Sequence, residues 1–140
     1  MLQTLFQAFR KRGVLTAAAM IPLAACAGDE TLSAYGAAGK TWVLSEMNGK
    51  AYVATATLEF PKPGQIAGQG PCNAYRAELS APYPWFEAKN LAATRAVCPD
   101  LLEETRYLEA LQSMTEAEVT GDVLILRNEA GGELLFSADG

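Results

Sequence analysis

The sequence predicts an α+β domain in which a curved, half-barrel-like antiparallel sheet of about seven to eight short strands packs against one helix. Three observations predict this fold. Short segments that alternate apolar and polar residues recur along the chain, and turn residues separate them. Only one segment has leucines at helical spacing. Successive strands are joined by tight turns, which connect antiparallel neighbours.

The strands are predicted from alternation and from the turns that bound them. Thr41 to Met47 places Trp42 and Leu44 on one face, and Asn48-Gly49 can form a hairpin turn into the next strand. A proline-rich turn over residues 61–64 ends that strand, because proline cannot donate to a ladder. The predicted strands cover residues 41–47, 51–60, 65–69, 73–79, 85–89, 116–120, 122–127 and 133–136.

The helix is predicted from Asp100 to about Ser113. Asp100 suits the N-cap or the first turn, where its negative charge interacts favourably with the positive end of the helix dipole. The apolar stripe that should face the sheet consists of Leu101, Leu108 and Leu111, with Leu102 and Thr105 beside it.

The first 25 residues are typical of a lipoprotein signal peptide. A basic cluster over residues 10–12 precedes an apolar run over residues 13–25, which leads into the lipobox Leu23-Ala24-Ala25-Cys26. As a helix the run would be about 20 Å long, too short for the ~30 Å hydrocarbon core of a bilayer. Such signals are cut before the cysteine, and the freed Cys26 carries the lipid. The alternative is an ordinary signal peptide cleaved at an A-x-A site.

The chain therefore divides into a signal peptide over residues 1–25, a flexible tether over residues 26–39 and a domain over residues 40–138. In a Gram-negative host, Ala27 directly after Cys26, in place of the aspartate typical of inner-membrane retention, resembles the signal for outer-membrane sorting. We expect a protein anchored to the outer membrane by its acyl chains and facing the periplasm.

The charge of the exported chain narrows the choice of partners. The signal peptide carries three basic residues and no acidic ones, so the remainder has 8 Lys/Arg against 16 Asp/Glu, a net charge of −8. Such a surface repels phosphate backbones, so no nucleic-acid partner is expected. It also repels anionic lipid, so the acyl chains must hold the protein at the membrane.

Two cysteines, Cys72 and Cys98, remain once Cys26 is committed to lipid. Export places them where disulfides persist, and a disulfide is the interpretation that we favour. The alternatives are two reduced thiols or a metal site, although two thiolates without histidine fall short of four soft ligands.

The chain has no histidine, which removes Ser-His and Cys-His nucleophiles, zinc-histidine sites and imidazole bases. Gly64, Gly68 and Gly70 do not form a phosphate-binding loop, because they lie too close together and precede Pro71 rather than a helix. An enzyme would instead need paired carboxylates that converge in a cleft, a lysine base or a bound cofactor. We predict no catalytic residue, metal or cofactor, and expect that the protein is not an enzyme.

Most of the other candidate residues have structural explanations. Trp42 is expected in the core, and Asn73 is expected to satisfy backbone groups at a turn. Glu103, Glu104 and Glu109 are expected on the solvated face of the helix.

Tyr83, Trp85 and Phe86 form a candidate partner-binding loop, crowded between prolines. They either plug the open end of the sheet or, if exposed, form an apolar patch that binds a partner.

The order and spacing of these features resemble the META/HslJ family of bacterial envelope proteins. The matching residues are Thr41, Trp42, Leu44, Asn48, Gly49, Leu58, Phe60, Gly68, Gly70, Cys72, Asn73, Thr94, Cys98, Glu104, Tyr107, Leu111, Leu124, Leu126, Leu134 and Phe136. The resemblance covers residues 40–137. It implies an α+β fold with an antiparallel half-barrel sheet and a lipoprotein or secreted context. It implies no chemistry, because the family has no agreed catalytic residues.

These observations support two functional hypotheses. The first is a monomeric, non-enzymatic, lipid-anchored protein that binds or stabilises another envelope component in an envelope-integrity role. The second is a carrier that holds a small apolar ligand between the helix and the curved sheet. A filled interior would leave only surface binding.

Overall fold

The computed structural model describes residues 28–139. The predicted signal peptide, Cys26 and Ala27 lie outside the described residues. Within residues 28–139, no helix combines the length and the apolar character needed to cross a bilayer.

A helical turn at Ser33–Ala37 precedes the sheet. The strands, in chain order, are β1 (Thr41–Met47), β2 (Lys50–Ala51), β3 (Thr57–Lys62), β4 (Gln65–Gln69), β5 (Ala74–Leu79), β6 (Ala88–Ala93), β7 (Glu116–Thr120), β8 (Val123–Arg127) and β9 (Glu133–Asp139). The helix α1 (Leu101–Ser113) connects β6 to β7.

All strand pairs are antiparallel, which confirms the predicted α+β class. The strand order is β6-β5-β4-β3-β1-β9-β8-β7, with the short β2 paired to β1. The last three strands form the predicted meander. The sheet is open, and the loop between β5 and β6 bonds to β7 at its edge. There the Phe86 amide donates to the Thr115 carbonyl at 2.8 Å, and the Ala117 amide donates to the Pro84 carbonyl at 2.7 Å.

The turn predicted at Asn48-Gly49 is present in the structure, whereas the turn predicted over residues 61–64 has different bounds. Asn48 and Gly49 both have positive φ (52° and 73°), as a two-residue hairpin between β1 and β2 requires. The predicted turn over residues 61–64 is shorter in the structure, because Pro61 belongs to β3. The ladder between β3 and β4 is irregular between Glu59 and Lys62, so a residue without an amide hydrogen is tolerated there.

Two predicted strands have clearly different bounds in the structure, and three others differ from the prediction by one to three residues at one end. The strand predicted over residues 51–60 is divided into β2 and β3. The strand predicted over residues 85–89 is β6, at Ala88–Ala93, and Trp85 makes only an isolated bridge to Glu116. The sequence Ala-Lys-Asn-Leu-Ala-Ala of β6 has weak strand propensity, so pairing with β5 determines its position.

Side chains fill the space between α1 and the curved sheet. Tyr107 and Leu111 on the helix are fully buried, and Tyr107 contacts Phe136 edge-on at 6.4 Å between ring centroids. The expected core residue Trp42 is also fully buried. The other large, fully buried residues are Phe86, Leu32, Leu58, Ile66, Leu124, Leu126, Leu134 and Phe136.

The buried face of α1 differs from the predicted stripe. It consists of Glu104, Tyr107 and Leu111, whereas Leu101 and Leu102 are exposed. Asp100 occupies the N-cap position, but its side chain makes no capping hydrogen bond. Glu104 and Tyr107 on the inward face form hydrogen bonds with residues outside the helix.

The start of the domain also needs correction. The predicted tether covers residues 26–39, yet Leu32 and Ala37 are buried in the core. The Trp42 indole donates to the Ala37 carbonyl at 2.9 Å. Residues 30–39 therefore pack against the domain, and its folded part begins about ten residues before Lys40.

Candidate functional site

The candidate partner-binding loop contributes both to the core and to the surface. Phe86 is buried, whereas Trp85 is 55% exposed. Tyr83 is half-buried and stacks on Tyr35, with ring centroids 4.3 Å apart and planes 16° apart. We call Tyr35, Tyr83, Pro84 and Trp85 the aromatic surface. Sequence reasoning missed Tyr35, because it placed that residue in a tether.

Two sets of backbone hydrogen bonds position the aromatic surface. On one side, the loop bonds to the edge of β7 through Pro84 and Phe86. On the other side, the Tyr83 amide donates to the Glu30 carbonyl at 2.8 Å. The aromatic surface is thus held between the start of the described chain and an edge of the sheet.

A groove of about 330 Å³ lies beside Trp85 and continues over β7 and β8, where Ile125 and Arg127 line it. Arg127 donates to Glu118 at 2.9 Å and to Glu133 at 3.0 Å. These hydrogen bonds raise the pKa of the Arg127 guanidinium above its usual value. The groove thus combines apolar side chains with paired charges, a composition suited to contact with another surface.

A buried polar cluster connects α1 to the segment before β5. The Glu104 carboxylate accepts hydrogen bonds from the Cys72 amide (2.7 Å), the Asn73 amide (2.6 Å) and the Asn73 side chain (2.5 Å). The Asn73 side-chain oxygen accepts from the Thr94 hydroxyl (2.9 Å) and the Ala96 amide (2.6 Å). Asn73 therefore has the structural role that the sequence predicts. The expectation that Glu104 lies on the solvated face is wrong: the side chain is buried and accepts hydrogen bonds from these amides.

Gly70 makes room for the Glu104 carboxylate, and Gly68 makes room for the Thr57 carbonyl and the Tyr75 hydroxyl. A Cβ atom at Gly70 would lie 2.6 Å from a Glu104 carboxylate oxygen. A Cβ atom at Gly68 would lie 2.0 Å from the Thr57 carbonyl oxygen and 2.7 Å from the Tyr75 hydroxyl. The two glycines of the Gly-x-Gly-x-Cys-Asn pattern thus permit close approach of α1 at Gly70 and of neighbouring sheet residues at Gly68.

Tyr107 on α1 and two tyrosines outside the helix, Tyr52 and Tyr75, form hydrogen bonds between the helix and the sheet side of the domain. The Tyr75 and Tyr107 hydroxyls are 2.6 Å apart, and Tyr75 donates to the Thr57 carbonyl at 2.6 Å. The Tyr52 hydroxyl donates to the Glu103 carbonyl at 3.0 Å. Burial raises the pKa of Tyr75 and Tyr107, and burial together with nearby acidic residues raises the pKa of Tyr52 to about 12. These groups are neutral at ordinary pH and act as hydrogen-bonding core residues.

A disulfide joins Cys72 and Cys98, whose Cα atoms are 5.8 Å apart. It connects the segment before β5 to the segment before α1, beside the Glu104 cluster. Next to it lies a second exposed apolar surface, formed by Val97, Leu101 and Leu102. Within residues 28–139, no three His, Cys, Asp or Glu side chains are grouped so that they could hold a metal ion.

Comparisons with known proteins place the chain in a family. The model of the META domain matches residues 35–140. The NMR structure of a protein from Burkholderia xenovorans is 22% identical, with a TM-score of 0.59, and the match covers 76% of this chain and 86% of that one. A second NMR structure is 27% identical, with a TM-score of 0.56 and coverage of 70% and 87%.

The crystal structure of a DUF4847-family protein from Bacteroides vulgatus is 14% identical, with a TM-score of 0.62, and the match covers 74% of this chain and 94% of that one. At this identity the likeness concerns the fold alone. No curated protein sequence matches the chain significantly. The family model covers most of the chain, including all nine strands and the helix, and its match agrees with the resemblance found in the sequence. The chain belongs to the META domain family.

Proposed function

We propose that this protein is a non-enzymatic lipoprotein of the cell envelope. In this proposal, acyl chains on Cys26 anchor it to the outer membrane, and the aromatic surface contacts another envelope component. The observation that carries the proposal is the lipobox Leu23-Ala24-Ala25-Cys26, which ends a short apolar run after a basic cluster. The exposed aromatic side chains near the start of the domain supply a contact surface.

The hydrogen bonds made by the buried polar groups on α1 support a non-catalytic role. The buried carboxylate of Glu104 already accepts three hydrogen bonds from Cys72 and Asn73, so it is a structural acceptor. The Tyr75 and Tyr107 hydroxyls likewise form a hydrogen bond with each other. The second hypothesis, a carrier of an apolar ligand, loses its support because protein side chains occupy the space between helix and sheet.

The lipid anchor is tested by Cys26→Ser. We expect this variant to move from the membrane fraction and the detergent phase to the soluble fraction, since the attachment atom is lost. Ala27→Ser is the matched control, because it introduces the same hydroxyl one residue later and leaves the lipobox intact. Membrane retention of Cys26→Ser, or an unacylated Cys26 in mass spectra of the wild-type protein, would contradict the proposal.

The contact surface is tested by photo-crosslinking in living cells. A photoreactive amino acid at Trp85 should form an adduct with an envelope component, whereas the same amino acid at Val53 should not. Val53 is 85% exposed. Its neighbour Tyr52 donates a hydrogen bond to the Glu103 carbonyl near the start of α1. Val53 therefore lies near the opposite end of that helix from Trp85. Equal adduct formation at both positions would argue against a specific contact at the aromatic surface.

A further inference from the structure

We infer that the aromatic surface lies against the lipid headgroups of the membrane that holds Cys26, which gives the domain a fixed orientation on the bilayer. The inference rests on the proposed lipid anchoring. It identifies the bilayer as the envelope component that this surface contacts.

The first argument is the position of the chain start. The Glu30 carbonyl accepts the Tyr83 amide at 2.8 Å, and Leu32, two residues later, is fully buried. Tyr35 then stacks on Tyr83. The described chain therefore enters the domain at the aromatic surface and is fixed there from Glu30 onward.

The second argument is the length of chain between that point and the lipid. Cys26 precedes Glu30 by four residues, so their Cα atoms are at most about 14 Å apart. A domain of this size has a radius of gyration of about 13 Å, so its far side lies well beyond that reach. A flexible tether of 13 residues would span roughly 20 Å on average and would allow several faces to meet the membrane. Because residues 30–39 are packed against the domain, only the face that carries the aromatic surface can meet the membrane.

The third argument is the chemistry of that face. Trp85 is 55% exposed and Tyr35 is 51% exposed. Tryptophan and tyrosine combine an apolar ring with a polar group, and they are enriched at the boundary between lipid and water. The carboxylates of Glu116 and Glu118 line the adjoining groove, which favours zwitterionic headgroups over anionic ones.

The fourth argument is the direction of α1. The Phe86 amide bonds to Thr115, two residues beyond the end of α1, whereas Val97 lies four residues before its start. A helix of this length is about 20 Å long. The surface of Val97, Leu101 and Leu102 therefore lies about one helix length from Trp85 and faces away from the bilayer in this orientation.

The test uses the two tryptophans of the chain, of which Trp42 is fully buried and Trp85 is exposed. The purified, acylated protein is incorporated into phosphatidylcholine vesicles whose acyl chains carry bromine, a short-range quencher of tryptophan. We expect the emission to fall toward the level of the Trp85→Phe variant, which retains Trp42 alone. A double variant, Trp85→Phe with Val97→Trp, places the second tryptophan at the opposite end of α1. Its emission should be the same in brominated and unbrominated vesicles.

The outcomes separate the inference from the proposal on which it rests. If the protein floats with the vesicles but Trp85 is not quenched, the inferred orientation is wrong and the lipid anchor stands. The aromatic surface would then contact a protein partner. Equal quenching at Trp85 and at position 97 overturns the fixed orientation. Failure of the acyl-bearing protein to float with vesicles overturns both.

Discussion

At the scale of single residues, the Glu104 cluster determines how α1 meets the sheet. The carboxylate lies in the interior and is stabilised by amide donors from Cys72 and Asn73. The sequence indicated the role of Asn73, because asparagine commonly satisfies backbone groups at turns. It could not indicate the role of Glu104, because a glutamate in the first turns of a helix is equally compatible with a solvated face.

Glu104→Gln tests the importance of this acceptor. The amide group of glutamine would turn a donor toward a site that already contains three donors, so we expect the free energy of unfolding to fall by about 1–3 kcal/mol. Urea unfolding of the oxidised protein measures this change. Glu109→Gln is the matched control on the exposed side of the same helix and should change the free energy by less than about 0.5 kcal/mol. Equal effects would contradict a special role for Glu104.

The buried tyrosines make stability dependent on pH in the alkaline range. The folded protein raises the pKa of Tyr52 to about 12 and also raises that of Tyr107, so these hydroxyls stay protonated after the unfolded chain has lost its protons. Their contribution is complete below pH 10, and stability should decline as pH rises from about 10 toward 12. Urea unfolding at a series of pH values measures the decline, which should be shallower in Tyr107→Phe and unchanged in Trp85→Phe. A flat profile would contradict the argument.

At the scale of elements, prediction succeeds where the signal is local. β1, β4 and β7 have the bounds that alternation and turn residues predict. β6 was misplaced because its sequence contains no strand pattern, and pairing with β5 determines its position. The inward face of α1 was misassigned because leucine spacing suggests Leu101 and Leu108, whereas hydrogen bonds to distant segments select Glu104 and Tyr107. Such contacts leave no periodic trace in the sequence.

The disulfide connects two of these elements, and its removal should be costly. The double variant Cys72→Ser/Cys98→Ser opens a loop of 26 residues. A chain-entropy estimate for that loop gives a loss of about 3.5 kcal/mol in the free energy of unfolding. Calorimetry of the double variant, beside the wild-type protein with and without reductant, measures the loss. Two free thiols in the denatured, unreduced wild-type protein would show that the bridge does not form in cells.

At the scale of the whole molecule, the largest difference from the sequence prediction is where the domain begins. Residues 27–39 are small and polar with no apolar period, which is typical of a linker. In the structure, Leu32 and Ala37 nevertheless complete the core, and Tyr35 joins the aromatic surface. Isolated apolar residues in a polar segment give no periodic signal, so only the tertiary structure identifies them as core residues. This difference leaves only a short stretch of chain between Cys26, the proposed site of lipid attachment, and the folded domain.

The short connection leads to a prediction about orientation. Inserting about twelve Gly and Ser residues between Gly28 and Asp29 adds roughly 20 Å of flexible reach but leaves the Glu30–Tyr83 bond and the lipobox unchanged. The variant should float with vesicles and unfold at the same urea concentration as the wild-type protein. Because the longer connection lets other faces meet the bilayer, quenching of Trp85 by brominated lipid should weaken. Insertion of an equal number of residues at Gly131, in the loop between β8 and β9, is the control and should leave the quenching unchanged. Undiminished quenching in the Gly28 variant would mean that the aromatic surface holds its orientation by its own affinity for lipid, and that the length of the connection does not impose it.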